Sequence, residues 1–90
     1  MKDAISEIKK ALKEGKAIIG TERTLKSLKL GKVSKIFLTS NCPEDVEESI
    51  KHYSKLAKVE VVKLKQPNDE LGALCKKPFS VSVLSVIKGA

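Results

Sequence analysis

The stretch Ala17-Ile18-Ile19-Gly20-Thr21-Glu22-Arg23-Thr24-Leu25-Lys26-Ser27-Leu28-Lys29-Leu30-Gly31 decides the fold. Its first three residues are apolar and two of them are β-branched, which suits a short buried strand. The chain then passes through a single glycine into a pattern with Leu25 and Leu28 one helical turn apart. Thr21 stands where a side chain can cap that helix, and Gly31 stands where glycine commonly closes one.

The same joint recurs on either side. Upstream, Ile5, Ile8 and Leu12, with Ala4 and Ala11, predict an amphipathic helix ended by Gly15. Downstream, Ile36-Phe37-Leu38-Thr39 reads as a buried strand. Asn41-Cys42-Pro43-Glu44-Asp45 then supplies a cap, a proline for the first turn and acids for the positive end of a helix dipole. Val46, Ile50, Tyr53 and Ala57 stripe that third helix. Val59–Leu64 predicts a strand, Asn68 caps a short helix running to Leu74, and Pro78 breaks it. Val-rich Phe79–Ile87 predicts the last strand. The order α β α β α β α β places helices on both faces of a central sheet. The expectation is an α/β fold, a single-domain three-layer α/β/α sandwich over residues 1–90.

Composition narrows the class. The chain has 90 residues, 41% of them apolar, which is too many for a disordered tail. It has no run near the roughly 18 apolar residues of a membrane-spanning helix. A chain this short buries only about 60–65% of its unfolded surface, so nearly every large aliphatic is needed in the core. Cys42 and Cys75 are too few for a disulfide framework, and the first residues lack a signal-like apolar segment, so the cytosol is expected. The net charge is +7, from 18 basic and 11 acidic residues, with Arg23 the one arginine. Residues 1–35 hold 10 basic and 4 acidic groups, residues 36–70 hold 5 and 7, and residues 71–90 hold 3 and none. If the two ends meet in space, they form one basic face.

The residues that carry chemistry elsewhere do not assemble an active site here. His52 lies on the third helix one turn from Glu48, with no nucleophile placed beside it, and reads as a surface histidine. Glu44, Asp45, Glu47 and Glu48 crowd a helix start, where the dipole alone favours acids. The two cysteines have no metal-ligand spacing. Cys42 sits near a helix N-terminus, a setting that can lower a thiol pKa. The Gly20 turn fits neither the P-loop pattern G-x-x-x-x-G-K-S/T nor the dinucleotide fingerprint G-x-G-x-x-G. It keeps the physics of a helix start: unpaired N–H groups, a partial positive charge and no side chain in the way. Arg23, Lys26 and Lys29 form a basic row along that helix, along which a phosphate chain can lie. An ordinary strand–helix turn with surface lysines is the competing reading.

Taken together, Gly20 to Lys32, then Ile36-Phe37-Leu38 with Ser40-Asn41-Cys42-Pro43, then Asn68-Asp69-Glu70-Leu71-Gly72 and Phe79-Ser80-Val81, resemble the kink-turn-binding ribosomal protein family. The nearest likeness is to its archaeal and eukaryotic large-subunit branch, with Glu70-Leu71-Gly72 and Tyr53 typical of that branch. The resemblance runs through essentially the whole chain in order and spacing.

It implies a four-stranded mixed sheet and binding to a sharply bent RNA internal loop with sheared G·A pairs. It maps contacts with the kinked backbone and guanine edges onto Gly20, Thr21, Glu22, Arg23 and Lys26, with Asn41 beside them. It maps packing on a flipped-out base onto Leu71, Gly72 and Phe79, with Pro78 stiffening the approach and Lys77 on the same loop. RNA recognition of this kind favours splayed nucleotides over groove edges, and a loop aromatic is a stacking platform. Phe79 as strand core is the competing reading. A sister branch carries Asn-Glu where this chain has Glu22-Arg23, and a Glu facing phosphate is repulsive unless it accepts from a guanine amino group. The partners implied are ribosomal RNA and the large ribosomal subunit in the cytoplasm. The expected state is monomeric when free, with no cofactor, metal, membrane or small-molecule substrate. The alternatives are a kink-turn protein of other ribonucleoproteins and a small basic adaptor for an acidic protein.

Overall fold

The computed structural model describes residues 4–87. Four helices alternate with four strands: α1 (Ala4–Glu14), β1 (Ala17–Ile19), α2 (Thr21–Lys29), β2 (Val33–Leu38), α3 (Glu44–Ala57), β3 (Glu60–Lys63), α4 (Asn68–Leu74) and β4 (Val83–Ile87). The sheet order is β1-β4-β2-β3. β4 runs antiparallel to both of its neighbours, while β2 and β3 are parallel, joined through α3. The sheet is therefore mixed. Its last strand in sequence is inserted between the first two.

Strand composition follows position. The inner strand β2 carries Ile36, Phe37 and Leu38, all fully buried, because both of its faces are covered. Phe37 and Leu84 face Ile8 of α1 and Leu71 of α4 in one cluster. Ile36, Leu38 and Val83 face Leu28 of α2 and Ile50 of α3 in the other. The alternation of Val83 and Leu84 between the two clusters is the period-2 pattern of a strand with helices on each side. Thr24 of α2 and Ser85 of β4 are both fully buried, and the Thr24 hydroxyl donates to Ser85 Oγ at 3.1 Å. That bond satisfies two polar groups where an unpaired one costs about 1–3 kcal/mol.

All four helices end alike. Gly15, Gly31, Lys58 and Lys76 take positive φ of 72°, 71°, 58° and 58°. At α2, Gly31 N–H reaches Leu28 O at 3.0 Å and Lys32 N–H reaches Ser27 O at 3.0 Å. At α4, Lys76 N–H reaches Ala73 O and Lys77 N–H reaches Gly72 O, each at 3.0 Å. These paired bonds satisfy carbonyls that helix ends otherwise leave open.

Four local expectations are corrected. Thr21 does not cap α2: the cap position is Gly20, and no side chain bonds the first amides. Asn41 does not cap α3, whose cap position is Pro43, and Asn68 does not cap α4, whose cap position is Pro67. The last strand begins at Val83, not Phe79. Residues 79–81 cross over α4 instead, with Val81 N–H donating to Asn68 O at 3.1 Å, so they do not pair along the sheet.

Candidate nucleic-acid interface

Three separated segments meet at one end of the sheet. Gly20 N–H donates to Val83 O at 3.1 Å, which ties the start of α2 to the start of β4. Thr39 N–H donates to Ser82 O at 3.1 Å, which brings the end of β2 to the same place. Asn41 and Asn68 complete the junction. The Asn68 N–H donates to Asn41 Oδ1 at 2.8 Å, Asn41 Nδ2 donates to Asn68 Oδ1 at 3.1 Å, and Asn68 Nδ2 reaches Ser82 Oγ at 3.5 Å.

Gly20 has φ 110° and ψ 151°, a region essentially closed to residues with a side chain. A Cβ built there would have nothing within 4 Å. The glycine answers to backbone conformation, and the space before it is open. Behind it, the uncapped first turn of α2 presents its N–H groups outward with the partial positive charge of a helix start. Thr21 is half-buried, while Glu22, Arg23 and Lys26 are exposed. Among the described residues none of these three makes an ion pair, including Glu22 with Lys26 one turn on. Arg23 and Lys26 are unneutralised cations beside that opening.

Lys29 is placed differently. It lies ~12 Å along the helix axis from Thr21. Its ammonium stands 5.1 Å from the centroid of the Tyr53 ring, directed at α3 and away from the Gly20 turn. The row read from spacing divides there.

On the other side of the junction, Phe79 is 57% exposed on the loop before β4, which removes it from the strand core. Lys77, Pro78 and Ser80 around it are exposed as well. Leu71 and Gly72 lie beneath. Leu71 is 1% exposed within the core cluster, and Gly72 is buried against the Phe79 and Ser80 backbone. A Cβ on Gly72 would collide with the Phe79 carbonyl oxygen and come within 3.3 Å of Ser80 Cα. Gly72 is what lets the loop lie flat on α4. Asn68 and Ser82 join this junction unforeseen: Asn41 and Asn68 are 27 residues apart, and no local pattern announces a bond of that span.

Elsewhere the chemistry is structural. Cys42 is half-buried against the α2–α3 cluster, and burial, with Glu47 next in effect, pushes its thiol up. The lowering a helix start can give is outweighed there by burial. Lys63 holds the Glu47 carboxyl at 2.9 Å and lowers its pKa. Lys35 Nζ lies 3.0 Å from Glu7 and 3.5 Å from Glu60, joining α1 to two strands, and the Glu7 hydrogen bond raises its pKa. Among the described residues no three His, Cys, Asp or Glu side chains gather as a metal site, and no helix is long and apolar enough to cross a membrane.

Comparisons with known proteins agree with this architecture. The chain is 41% identical over 85 residues to the large ribosomal subunit protein eL30 of Methanocaldococcus jannaschii, covering 94% of this chain and 77% of that one. It is 44% identical over 79 residues to the eL30 of Archaeoglobus fulgidus, covering 88% and 87%. Its fold superposes on a Giardia lamblia 15.5 kD RNA binding protein with a TM-score of 0.78 at 17% identity, covering 99% of this chain and 78% of that one. Residues 2–90 match the model of a single family, and the chain therefore belongs to the ribosomal protein L7Ae/L30e/S12e/Gadd45 family.

Proposed function

We propose that the chain is a non-enzymatic constituent of the large ribosomal subunit, in the cytoplasm, that binds ribosomal RNA at a kink-turn internal loop. The observation that carries this reading is the convergence of the open Gly20 helix start and the exposed Phe79 loop at one end of the sheet, held together by Asn41, Asn68 and Ser82. The two halves suit different parts of a bent RNA. The outward amides of α2, with Arg23 and Lys26, suit phosphates and a guanine edge, the first setting register and the second reading sequence. Phe79 suits a base turned out of the stack. Leu71 and Gly72 serve from beneath by fixing the height of that loop. Glu22, free of any cation on the described surface, suits a guanine amino group. Lys77 adds a phosphate contact beside Phe79, and Lys29 lies at the margin of the interface. The archaeal relatives are named as large-subunit ribosomal proteins, which supports placing this chain in the same particle.

Titration of the protein against a kink-turn hairpin and an unkinked duplex of equal length tests the reading. Clear preference for the hairpin is expected, with log affinity falling steeply as log salt rises. Equal affinity for both would overturn it.

A further inference from the structure

We propose that the groove between α1 and α4, along β1, is a docking site for an acidic amphipathic segment of a partner protein. The groove has a volume of about 780 Å³ and is floored by Leu12, Ile19 and Leu74, apolar residues that the core leaves partly uncovered. Its rim is basic on both sides: Lys9 and Lys13 from α1, and Lys76 and Lys77 just past α4. Neither an acidic nor an aromatic side chain lines it. The basic ends of the chain do meet here, whereas the cations of α2 belong to the opposite layer.

The lining selects between occupants. A nucleic acid would find lysines for its phosphates, but no aromatic on which to stack a base and an apolar floor that satisfies no polar group. A segment with apolar residues on one face and carboxylates along both flanks satisfies floor and rim together. Two features are unfavourable in the free protein. Lys9 and Lys13 are like charges at i, i+4 on one helix face, and Lys76 holds a positive φ of 58° where glycine is the usual choice. Carboxylates along the rim would relieve the first and use the cation placed by the second. The Gly20 turn does not line this groove, and Lys77 is the one rim residue it shares with the Phe79 loop, so RNA and protein partners compete only there.

The test titrates the whole protein with a synthetic amphipathic Leu/Glu peptide, with the same peptide carrying Gln for Glu, and with one carrying Ser for Leu. Backbone amide shifts are followed by NMR. The Leu/Glu peptide is expected to bind at least about tenfold tighter than either control and to shift residues around Leu12, Ile19 and Leu74. The double substitution Lys9→Gln and Lys13→Gln should weaken it by a similar factor and leave kink-turn RNA affinity within about threefold. Equal binding of the Ser-for-Leu peptide would overturn the proposal in favour of bare charge attraction. So would shifts centred on Gly20 and Phe79, or displacement of the peptide by an unkinked RNA duplex. Should the double variant unfold, the single Lys13→Gln variant carries the same comparison. Kink-turn binding is measured separately, so loss of one reading leaves the other standing.

Discussion

The side chain of Asn41 caps α4 from 27 residues away: its Oδ1 accepts the Asn68 N–H at 2.8 Å, and its Nδ2 returns a bond to Asn68 Oδ1 at 3.1 Å. The cap position of α4 itself is Pro67, which offers no side-chain acceptor. One asparagine thus serves the start of a helix and the spacing between the two halves of the interface. Asn41→Ala should cost about 1 kcal/mol in urea unfolding, as loss of a cap does. It should also weaken kink-turn affinity. An unchanged midpoint would show that water replaces the cap at no cost.

Phe79→Ala separates recognition from folding. With 57% of the residue exposed, stability should move by no more than about 0.5 kcal/mol. RNA affinity should fall about tenfold or more, from ~1–3 kcal/mol of lost stacking. Parallel loss of stability and binding would return the ring to the core.

Gly20→Ala and Gly72→Ala should both destabilise, for different reasons. At Gly20 the added Cβ meets nothing, and the cost is the backbone conformation, about 1–3 kcal/mol. At Gly72 the backbone is helical and the cost is collision with the Phe79 carbonyl. Gly72→Ala should lift the 79–82 loop, and amide exchange at Val81 should accelerate as its bond to Asn68 O opens. Unchanged exchange there would mean the loop adapts.

Lys58→Gly should stabilise by about 0.5–1 kcal/mol, because Lys58 closes α3 at φ 58° in a region where glycine carries no side-chain penalty. Thermal unfolding reads the gain. Kink-turn affinity should not change, since Lys58 lies at the opposite end of α3 from the junction.

Two ion pairs shape the acid and alkaline limbs of the pH profile. The Glu47 carboxyl is lowered by Lys63, so its contribution is present above the ordinary carboxylate range and is lost as pH falls through the lowered value. Lys35 is raised chiefly by Glu7, so its contribution is present below the ordinary lysine value and is lost as pH rises through the raised one. Glu47→Gln should flatten the acid limb of a denaturation series and, because Glu47 also raises Lys63, part of the alkaline limb as well; Glu7→Gln should flatten the alkaline limb through Lys35.

Element order was legible because it is local. Ile8, Leu12 and the Ile36-Phe37-Leu38 run display their periods within a few residues, and Gly15 and Gly31 end helices through their own backbone freedom. The Gly20 turn stood out for the same reason. Caps were less legible: Thr21 and Asn41 are capping types near helix starts, yet the chain puts Gly20 and Pro43 at the cap positions and sends Asn41 to another helix.

What the sequence by itself determined is therefore the set of helices and strands, their alternation, the excess of positive charge and the glycine that opens α2. Those follow from side-chain periodicity and backbone preference, which act over one or two turns. Tertiary structure alone decided the insertion of β4 between β1 and β2, the lift of Phe79 out of the strand onto an exposed loop, the burial of Leu71, and the turning of Lys29 toward Tyr53. It also decided which lysines share a surface, parting those of α1 from those of α2. Each of these depends on a contact between residues distant in the chain, and its geometry exists only once the sheet has formed.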